Sequence, residues 1–125
     1  PKFDQHIRIN KEERRAAIRQ LIAEKVKSDK VVLVDSLQME APKTKKVGEF
    51  LKKVKLDRSV LFLGDSPVET VEDKTGKKVQ VSKKSDHNKN FQMSCRNIPF
   101  AQFNIAMNVS GLDVAKSHNL IFTEK

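Results

Sequence analysis

Tryptophan and tyrosine are absent from this 125-residue sequence, and cysteine occurs once, as Cys95. A single cysteine excludes an internal disulfide and any cysteine-based zinc cluster, and it fits a reducing, cytoplasmic setting. All seven aromatic residues are Phe, which argues against a surface built from stacked Tyr or Trp rings. No apolar run approaches the roughly 20 residues that cross a bilayer, so we expect no membrane-spanning segment.

Glycine is scarce, and the sequence begins without an apolar leader. The four glycines, at positions 48, 64, 76 and 111, form no phosphate-binding loop of either common type. We therefore expect no nucleotide cofactor, and no metal or other cofactor is predicted. The first ten residues, PKFDQHIRIN, are polar, so the sequence predicts no signal peptide.

Charge, by contrast, is abundant and unbalanced. The chain carries 25 Lys and Arg residues against 16 Asp and Glu residues, a formal net charge of +9. Nine of the basic residues fall in the first thirty positions, beside five acidic ones. This excess predicts an anionic partner, either a nucleic acid or a membrane surface, and charge alone does not decide between them.

Apolar periodicity predicts two long helices. The first covers 11–27, with Asn10 as N-cap and Glu13 at the capping-box position. Its apolar stripe comprises Ala17, Ile18, Leu21, Ile22 and Val26. The second helix is expected at 43–55, and its apolar side comprises Val47, Phe50, Leu51 and Val54.

Short apolar runs predict the strands of a parallel sheet. Buried strands are expected at 31–35 and 59–65, because both runs are rich in β-branched and aliphatic residues. The remaining predictions are a helix at 88–97, a strand at 100–105, a helix at 112–117 and a strand at 120–123.

Between these elements, the polar, Lys-rich segment 66–90 is a variable insert. It forms either an exposed hairpin, with Val68, Thr70 and Glu72 paired across Thr75-Gly76 with Val79 and Val81, or a disordered excursion.

The order of the predicted elements indicates an α/β fold. Alternating helices and strands favour a mainly parallel four-stranded sheet flanked by helices on both faces, a three-layer sandwich. The length fits one small domain over 1–125, or part of a larger protein.

Several residues could in principle support catalysis. Asp35 and Asp65 follow two strands, where they could hold Mg²⁺ or activate a phosphate acceptor, or simply end a strand and cap a turn. Gly64-Asp65-Ser66 is the opening tripeptide of one serine-hydrolase family, but Asp113 and His118 lack the spacing which that family needs. Cys95 could pair with His87 or His118 as a nucleophile, although a buried, inert thiol is the simpler interpretation.

Basic residues form the more informative pattern. They cluster in the N-terminal arm and first helix, at the start of the second helix and at the end of the short helix before Pro99. Such residues suit contacts with an RNA backbone, or they are solvated helix faces. The set comprises Lys2, Arg8, Lys11, Arg14, Arg15, Arg19, Lys43, Lys45, Lys46, Arg96 and Asn97.

Three stretches resemble one known family. They are PKFDQHIRINKEERRAAIRQLI at 1–22, EAPKTKKVGEFLKK at 40–53, and RNIPFAQFNIAMNVSGLDVAKSHNLIFTEK at 96–125. In order and spacing they resemble the bacterial large-subunit ribosomal protein L4 family, close to its chlamydial branch. The run Ala-Pro-Lys-Thr-Lys at 41–45 is the most specific piece, and the resemblance covers nearly everything except 66–90.

The resemblance implies a non-enzymatic, cytoplasmic ribosomal protein that binds 23S rRNA early in subunit assembly. Neighbouring large-subunit proteins and the messenger RNA of its own operon are further implied partners, and no membrane is involved. By position, the basic set named above becomes the set of candidate RNA contacts, although Glu12 and Glu13 stand where many members carry basic residues. The family's N-terminal helix, long basic loop and C-terminal helix are missing, so we expect a trimmed globular body.

Overall fold

The computed structural model describes residues 8–65, 68–72, 78–82 and 88–124. These residues form four α-helices and six β-strands, with one 3₁₀ turn at Ala106–Asn108. In chain order the elements are α1 (Lys11–Lys27), β1 (Val31–Val34), α2 (Thr44–Lys53), β2 (Val60–Gly64), β3 (Val68–Glu72), β4 (Lys78–Ser82), α3 (Lys89–Cys95), β5 (Ala101–Ile105), α4 (Gly111–Lys116) and β6 (Asn119–Thr123).

Four of the strands form one parallel sheet in the order β1-β6-β2-β5. Phe62 of β2 lies opposite Ile121 of β6 on one side and opposite Phe103 of β5 on the other. The inner strand β2 has the sequence VLFLG, and every one of its residues is buried. This agrees with the near-continuous hydrophobicity of strands that are covered on both faces.

The sheet separates two cores. Because side chains alternate along a strand, Phe62 packs with residues of α2 and α3, whereas Leu61 and Leu63 pack with Val114 of α4 and with α1. The Phe62 ring meets the Phe91 ring of α3 edge-on, with a centroid distance of 4.9 Å. Helices therefore cover both faces of the sheet, which confirms the predicted three-layer α/β sandwich.

Glycine is required at one position of the central strand. A Cβ atom at Gly64 would stand 2.7 Å from Cε2 and Cζ of the Phe103 ring. That separation is well below a normal carbon–carbon contact. The missing side chain at Gly64 thus makes room for an aromatic residue of the neighbouring strand β5.

The parallel strand predicted at 31–35 is found as β1, but the prediction that it is buried is wrong. β1 lies at the edge of the sheet, next to β6 only, and its residues are half-buried or exposed. Leu33 keeps 73% of its surface exposed. The apolar run of β1 is typical of a central strand. The local sequence pattern does not encode the order of the strands in the sheet, and that order places β1 at the edge.

The helix over 11–27 and its N-cap Asn10 are confirmed, but the capping box predicted with Glu13 is not found, and the apolar stripe is only partly buried. No residue of α1 is fully buried, and Val26 is 55% exposed. At its N-terminus the Asn10 side chain accepts a hydrogen bond from the Glu12 N–H. The reciprocal capping box is found instead at α4, where Ser110 and Asp113 satisfy each other's backbone N–H groups.

The insert contains a hairpin, which is one of the two predicted alternatives, but the predicted pairing is wrong. Val79 lies opposite Val71 and Val81 lies opposite Glu69, because a shift of one residue in register exchanges the two faces of a strand. β3 and β4 are antiparallel, with Thr70 opposite Gln80 and Glu72 opposite Lys78. The expected turn at Thr75-Gly76 lies outside the described residues. Within the described part of the chain, none of the helices has the length and apolar character needed to span a membrane.

Candidate nucleic-acid interface

The first group of cations stands on the N-terminal half of α1. The helix contacts α4 along its later turns: Ile18 and Leu21 lie beside Gly111, the first residue of α4, and the Lys25 ammonium donates to the Ser117 carbonyl at 2.7 Å. Every residue from Arg8 to Ala17 is exposed. About 10 Å of helix therefore precedes the part of α1 that packs on the body.

The helix start carries both signs of charge. Glu12 and Glu13 occupy the first turn, where carboxylates favour the positive end of the helix dipole. Glu12 also pairs with Arg15, with 2.9 Å between its Oε1 and the guanidinium Nη1, and both side chains remain mostly in solvent. Arg15 is thus partly neutralised, whereas Arg14 makes no ion pair within the part of the chain described.

The second group surrounds the start of α2. Here the backbone N–H of Lys43 donates to the Ser94 hydroxyl at 2.9 Å. One turn earlier in α3, the Asn90 amide donates to the carbonyls of Met39 and Glu40, at 2.8 and 3.1 Å. Two polar side chains of α3 therefore clamp the loop that carries the Ala-Pro-Lys-Thr-Lys run.

The α2 terminus differs from that of α1 in its electrostatics. Lys43 is the N-cap and offers no side-chain acceptor, and the first turn contains no acidic residue. The N–H groups of this turn receive no side-chain cap. Together with the exposed side chains of Lys43, Lys45 and Lys46, they favour an anion.

The structure divides the predicted basic set between two layers. The α1 layer holds Arg8, Lys11, Arg14, Arg15 and Arg19. The α2/α3 layer, on the opposite face of the sheet, holds Lys43, Lys45, Lys46, Arg96 and Asn97, all exposed. Lys2 lies outside the described residues. Sequence reasoning treated these residues as one set, because the face on which each helix packs is a tertiary property.

Asn90 and Ser94 are positioning residues that sequence reasoning missed. They lie about fifty residues from the loop they hold, and each is an ordinary polar residue in a short helix. Ser94 is buried and its hydroxyl donates to the Asn90 carbonyl at 2.7 Å. A buried serine on the apolar side of a helix, facing a Pro-containing loop, is the only sequence signal that could have indicated this role.

The two strand-end aspartates face a small cavity. Asp35 and Asp65 line a space of about 100 Å³ together with Asn88 and Thr123. The two aspartates follow β1 and β2, and β6 lies between these strands in the sheet. The backbone carbonyl of Asp65 accepts a 2.7 Å hydrogen bond from the Asn88 side chain. Among the described residues no three His, Cys, Asp or Glu side chains are grouped as a metal site would require.

The cysteine is an inert core residue, as its apolar neighbours predicted. Cys95 is buried against the sheet, and burial raises the pKa of its thiol to about 12, so the nucleophilic thiolate is not formed at neutral pH. His118 instead faces Arg58, with 3.0 Å between His118 Nε2 and the guanidinium. His87 and Ser66 lie outside the described residues.

Among the described residues, Asp113 is the carboxylate that accepts the most hydrogen bonds. Its Oδ2 accepts from the Ser110 hydroxyl at 2.8 Å and the Ser110 N–H at 3.1 Å, and Asn104 donates at 3.3 Å. The hydrogen bonds from Ser110, and then those from Asn104 and the charge of Lys116, lower the pKa of Asp113. Its role is to fix the start of α4 rather than to react.

Taken together, these features define a basic α/β domain with exposed cations at helix ends and no assembled catalytic group in its described part. The family model described as "Ribosomal protein L4/L1 family" matches residues 1–125. The chain is also 33% identical over 114 residues to the large ribosomal subunit protein uL4 of Symbiobacterium thermophilum, which covers 91% of this chain and 45% of that protein.

The chain therefore belongs to the ribosomal protein L4/L1 family, and the resemblance drawn from the three sequence stretches is confirmed. It spans about half the length of the curated relative it matches. Membership of a ribosomal protein family gives no support to the catalytic interpretation of Asp35 and Asp65.

Proposed function

We propose that this chain is an RNA-binding part of a large-subunit ribosomal protein, and that it binds 23S rRNA and supports early assembly of the subunit in the cytoplasm. The observation that carries the proposal is the exposed cation group on the projecting start of α1. Four cations, Arg8, Lys11, Arg14 and Arg15, lie within eight consecutive positions of a segment that the body leaves uncovered.

Electrostatics supplies most of the affinity in this proposal. Each Lys or Arg that neutralises a phosphate releases condensed counterions, and this gain does not depend on base sequence. Specificity then comes from shape, because A-form RNA hides its major-groove bases and presents backbone and hydroxyl groups. A helix held rigidly on a sheet keeps its cations at fixed spacing, as shape recognition requires.

The two cation groups would bind separate RNA segments. They belong to opposite layers of the sandwich, so one straight RNA helix does not reach both. At α1 the cations on the helix flank make the contacts, since Asn10, Glu12 and Glu13 already occupy the helix terminus. At α2 a phosphate would approach the terminus itself, where Lys43, Lys45 and Lys46 add their charge to the backbone N–H groups.

Other partners follow from the same surfaces. A leader segment of its own operon's messenger RNA would compete with rRNA if it presented phosphates at the same spacing. Neighbouring large-subunit proteins would contact surface that the RNA leaves free. Both belong to the proposal and are tested by competition with labelled rRNA.

Charge reversal at α1 tests the proposal directly. Arg14→Glu with Arg15→Glu should weaken binding to large-subunit rRNA by about tenfold or more at moderate salt, as measured by fluorescence anisotropy. The matched control is Lys27→Glu with Lys116→Glu. It changes the net charge by the same amount, but at the C-terminal ends of α1 and α4. The control should bind within about threefold of the unchanged chain. Equal losses in the two double variants would mean that only net charge matters, which would contradict the proposed interface.

A further inference from the structure

A second surface, unrelated to the α1 cations, lies between α2 and the start of β5. It is a groove of about 620 Å³. Its floor is apolar and consists of Leu51, Leu56, Ile98 and Phe100, and Phe100 keeps 37% of its surface exposed. We propose that this groove binds an acidic, apolar peptide segment of a partner protein.

Gly48 is the first sign that the groove is adapted to an outside partner. It stands in the interior of α2, where glycine destabilises a helix relative to alanine. A Cβ atom added there would meet no atom of the described residues within 4 Å, and no positive φ requires glycine. The fold itself therefore gives no reason for glycine at this position, whereas the close approach of another chain does.

Lys55 is the second sign. It follows α2 with a φ of 57°, at the left-handed position that helices usually fill with glycine or asparagine. The Leu56 N–H donates to the Leu51 carbonyl at 2.9 Å, which is an ordinary helix ending, and Asp29 has a similar φ of 52° just after α1. The particular feature of Lys55 is that a lysine, rather than glycine, fills this position beside the groove. Gly48 and Lys55 both line the groove, so two positions that depart from the local preference of the backbone meet at one surface.

The rim of the groove selects the charge of the partner. Lys45, Lys52 and Lys55 stand around it, and Asp57 is the one acidic residue among the described residues that line it. The partner should therefore carry carboxylates that reach the rim while its apolar side chains cover Ile98 and Phe100. An apolar floor gives no hydrogen bonds to base edges, which favours a peptide over an RNA strand.

The test uses the whole 125-residue chain and a labelled synthetic peptide of about ten residues, long enough to cross the groove in extended form. Leu and Phe alternate with Glu in the probe. Two control peptides replace Glu by Lys, or Leu and Phe by Ser. Fluorescence anisotropy measures affinity, and ¹⁵N chemical-shift mapping locates the contact. Shifts should fall within 44–57 and 98–100, and neither control peptide should bind comparably.

Variants separate binding from folding. Gly48→Leu fills the groove with a good helix former, and Lys55→Gly removes a rim charge while giving the left-handed position its usual glycine. Both variants should unfold at the same temperature as the unchanged chain or at a higher one. Their affinity for the peptide should nevertheless fall by about tenfold. The matched controls, Glu49→Leu and Lys53→Glu, change α2 outside the groove and should leave affinity within about twofold.

Three results would overturn the inference. The first is shifts that map elsewhere, and the second is unchanged peptide affinity in Gly48→Leu. The third is loss of rRNA affinity in Gly48→Leu together with displacement of the peptide by rRNA, which would make the groove an RNA surface. Lys45 belongs both to this rim and to the α2 cation group proposed for RNA, so the variants leave it unchanged. Since the RNA interface is tested on α1, either proposal can fail without the other.

Discussion

The backbone N–H of Lys43 donates a 2.9 Å hydrogen bond to the hydroxyl of Ser94, which joins the start of α2 to the buried side of α3. The Ser94 hydroxyl itself donates a hydrogen bond to the Asn90 carbonyl at 2.7 Å, so this hydroxyl both accepts and donates. The most specific run of the sequence, at 41–45, is therefore held by a neighbouring helix rather than by its own residues.

Ser94→Ala should destabilise the fold by about 1–3 kcal/mol, because the Lys43 N–H would lose its acceptor in a partly buried place. Urea unfolding measures this change. Amide hydrogen exchange should also become faster at Lys43. The control is Ser36→Ala, which removes an exposed acceptor for the Gln38 N–H and should cost less than about 0.5 kcal/mol. Equal effects of the two variants would contradict the clamp.

Two glycines should respond to alanine in opposite ways. Gly64→Ala should cost about 1–3 kcal/mol, because its Cβ would overlap the Phe103 ring, which is itself packed against Phe91. Gly48→Ala should stabilise the chain by about 0.5–1 kcal/mol, since it restores helix propensity in open space. Urea unfolding of both variants checks the pair, and destabilisation by Gly48→Ala would show that the fold needs this glycine.

Asp113 should make stability depend on acidic pH. Hydrogen bonds from Ser110 lower its pKa in the folded state. Its stabilising contribution is therefore complete above its unfolded pKa of about 3.9 and is lost as pH falls through the lower folded pKa. Asp113→Asn removes this contribution. The stability gap between the two proteins should be constant from about pH 6 upward and should shrink below about pH 4. A difference in stability between the two proteins that does not change with pH would contradict the role assigned to Asp113.

Cys95 should react only when the chain unfolds. Burial raises the pKa of its thiol to about 12, so iodoacetamide at pH 8 should modify the native protein about a thousandfold more slowly than the urea-unfolded protein. Mass spectrometry over a time course gives both rates. Rapid labelling of the native chain would mean that α3 opens locally and exposes the thiol.

The fold was largely predictable from the sequence. The helix over 11–27, the buried strand after Ser59 and the hairpin in the insert all follow from local periodicity and were found. The burial of β1 was predicted wrongly, because its apolar run is compatible with either a central or an edge strand. Strand order depends on which helices pack on which face, and no single segment encodes that.

The candidate site was predictable in its residue types but not in its geometry. Clustered cations and the Ala-Pro-Lys-Thr-Lys run stand out in the sequence. Their division between two layers does not, and neither does the neutralisation of Arg15 by Glu12. The clamp by Asn90 and Ser94 was equally hidden, because its partners lie about fifty residues apart and have common identities.

The most direct test of the central claim compares the binding of this chain to large-subunit rRNA with its binding to an unrelated structured RNA of equal length, over a series of salt concentrations. We expect a clear preference for the rRNA, with the logarithm of affinity falling by roughly 0.7–0.9 per phosphate neutralised for each tenfold rise in salt. A steep slope that is reduced in the Arg14→Glu, Arg15→Glu variant would tie those phosphates to α1. Equal, weak binding to both RNAs with a shallow slope would contradict the account.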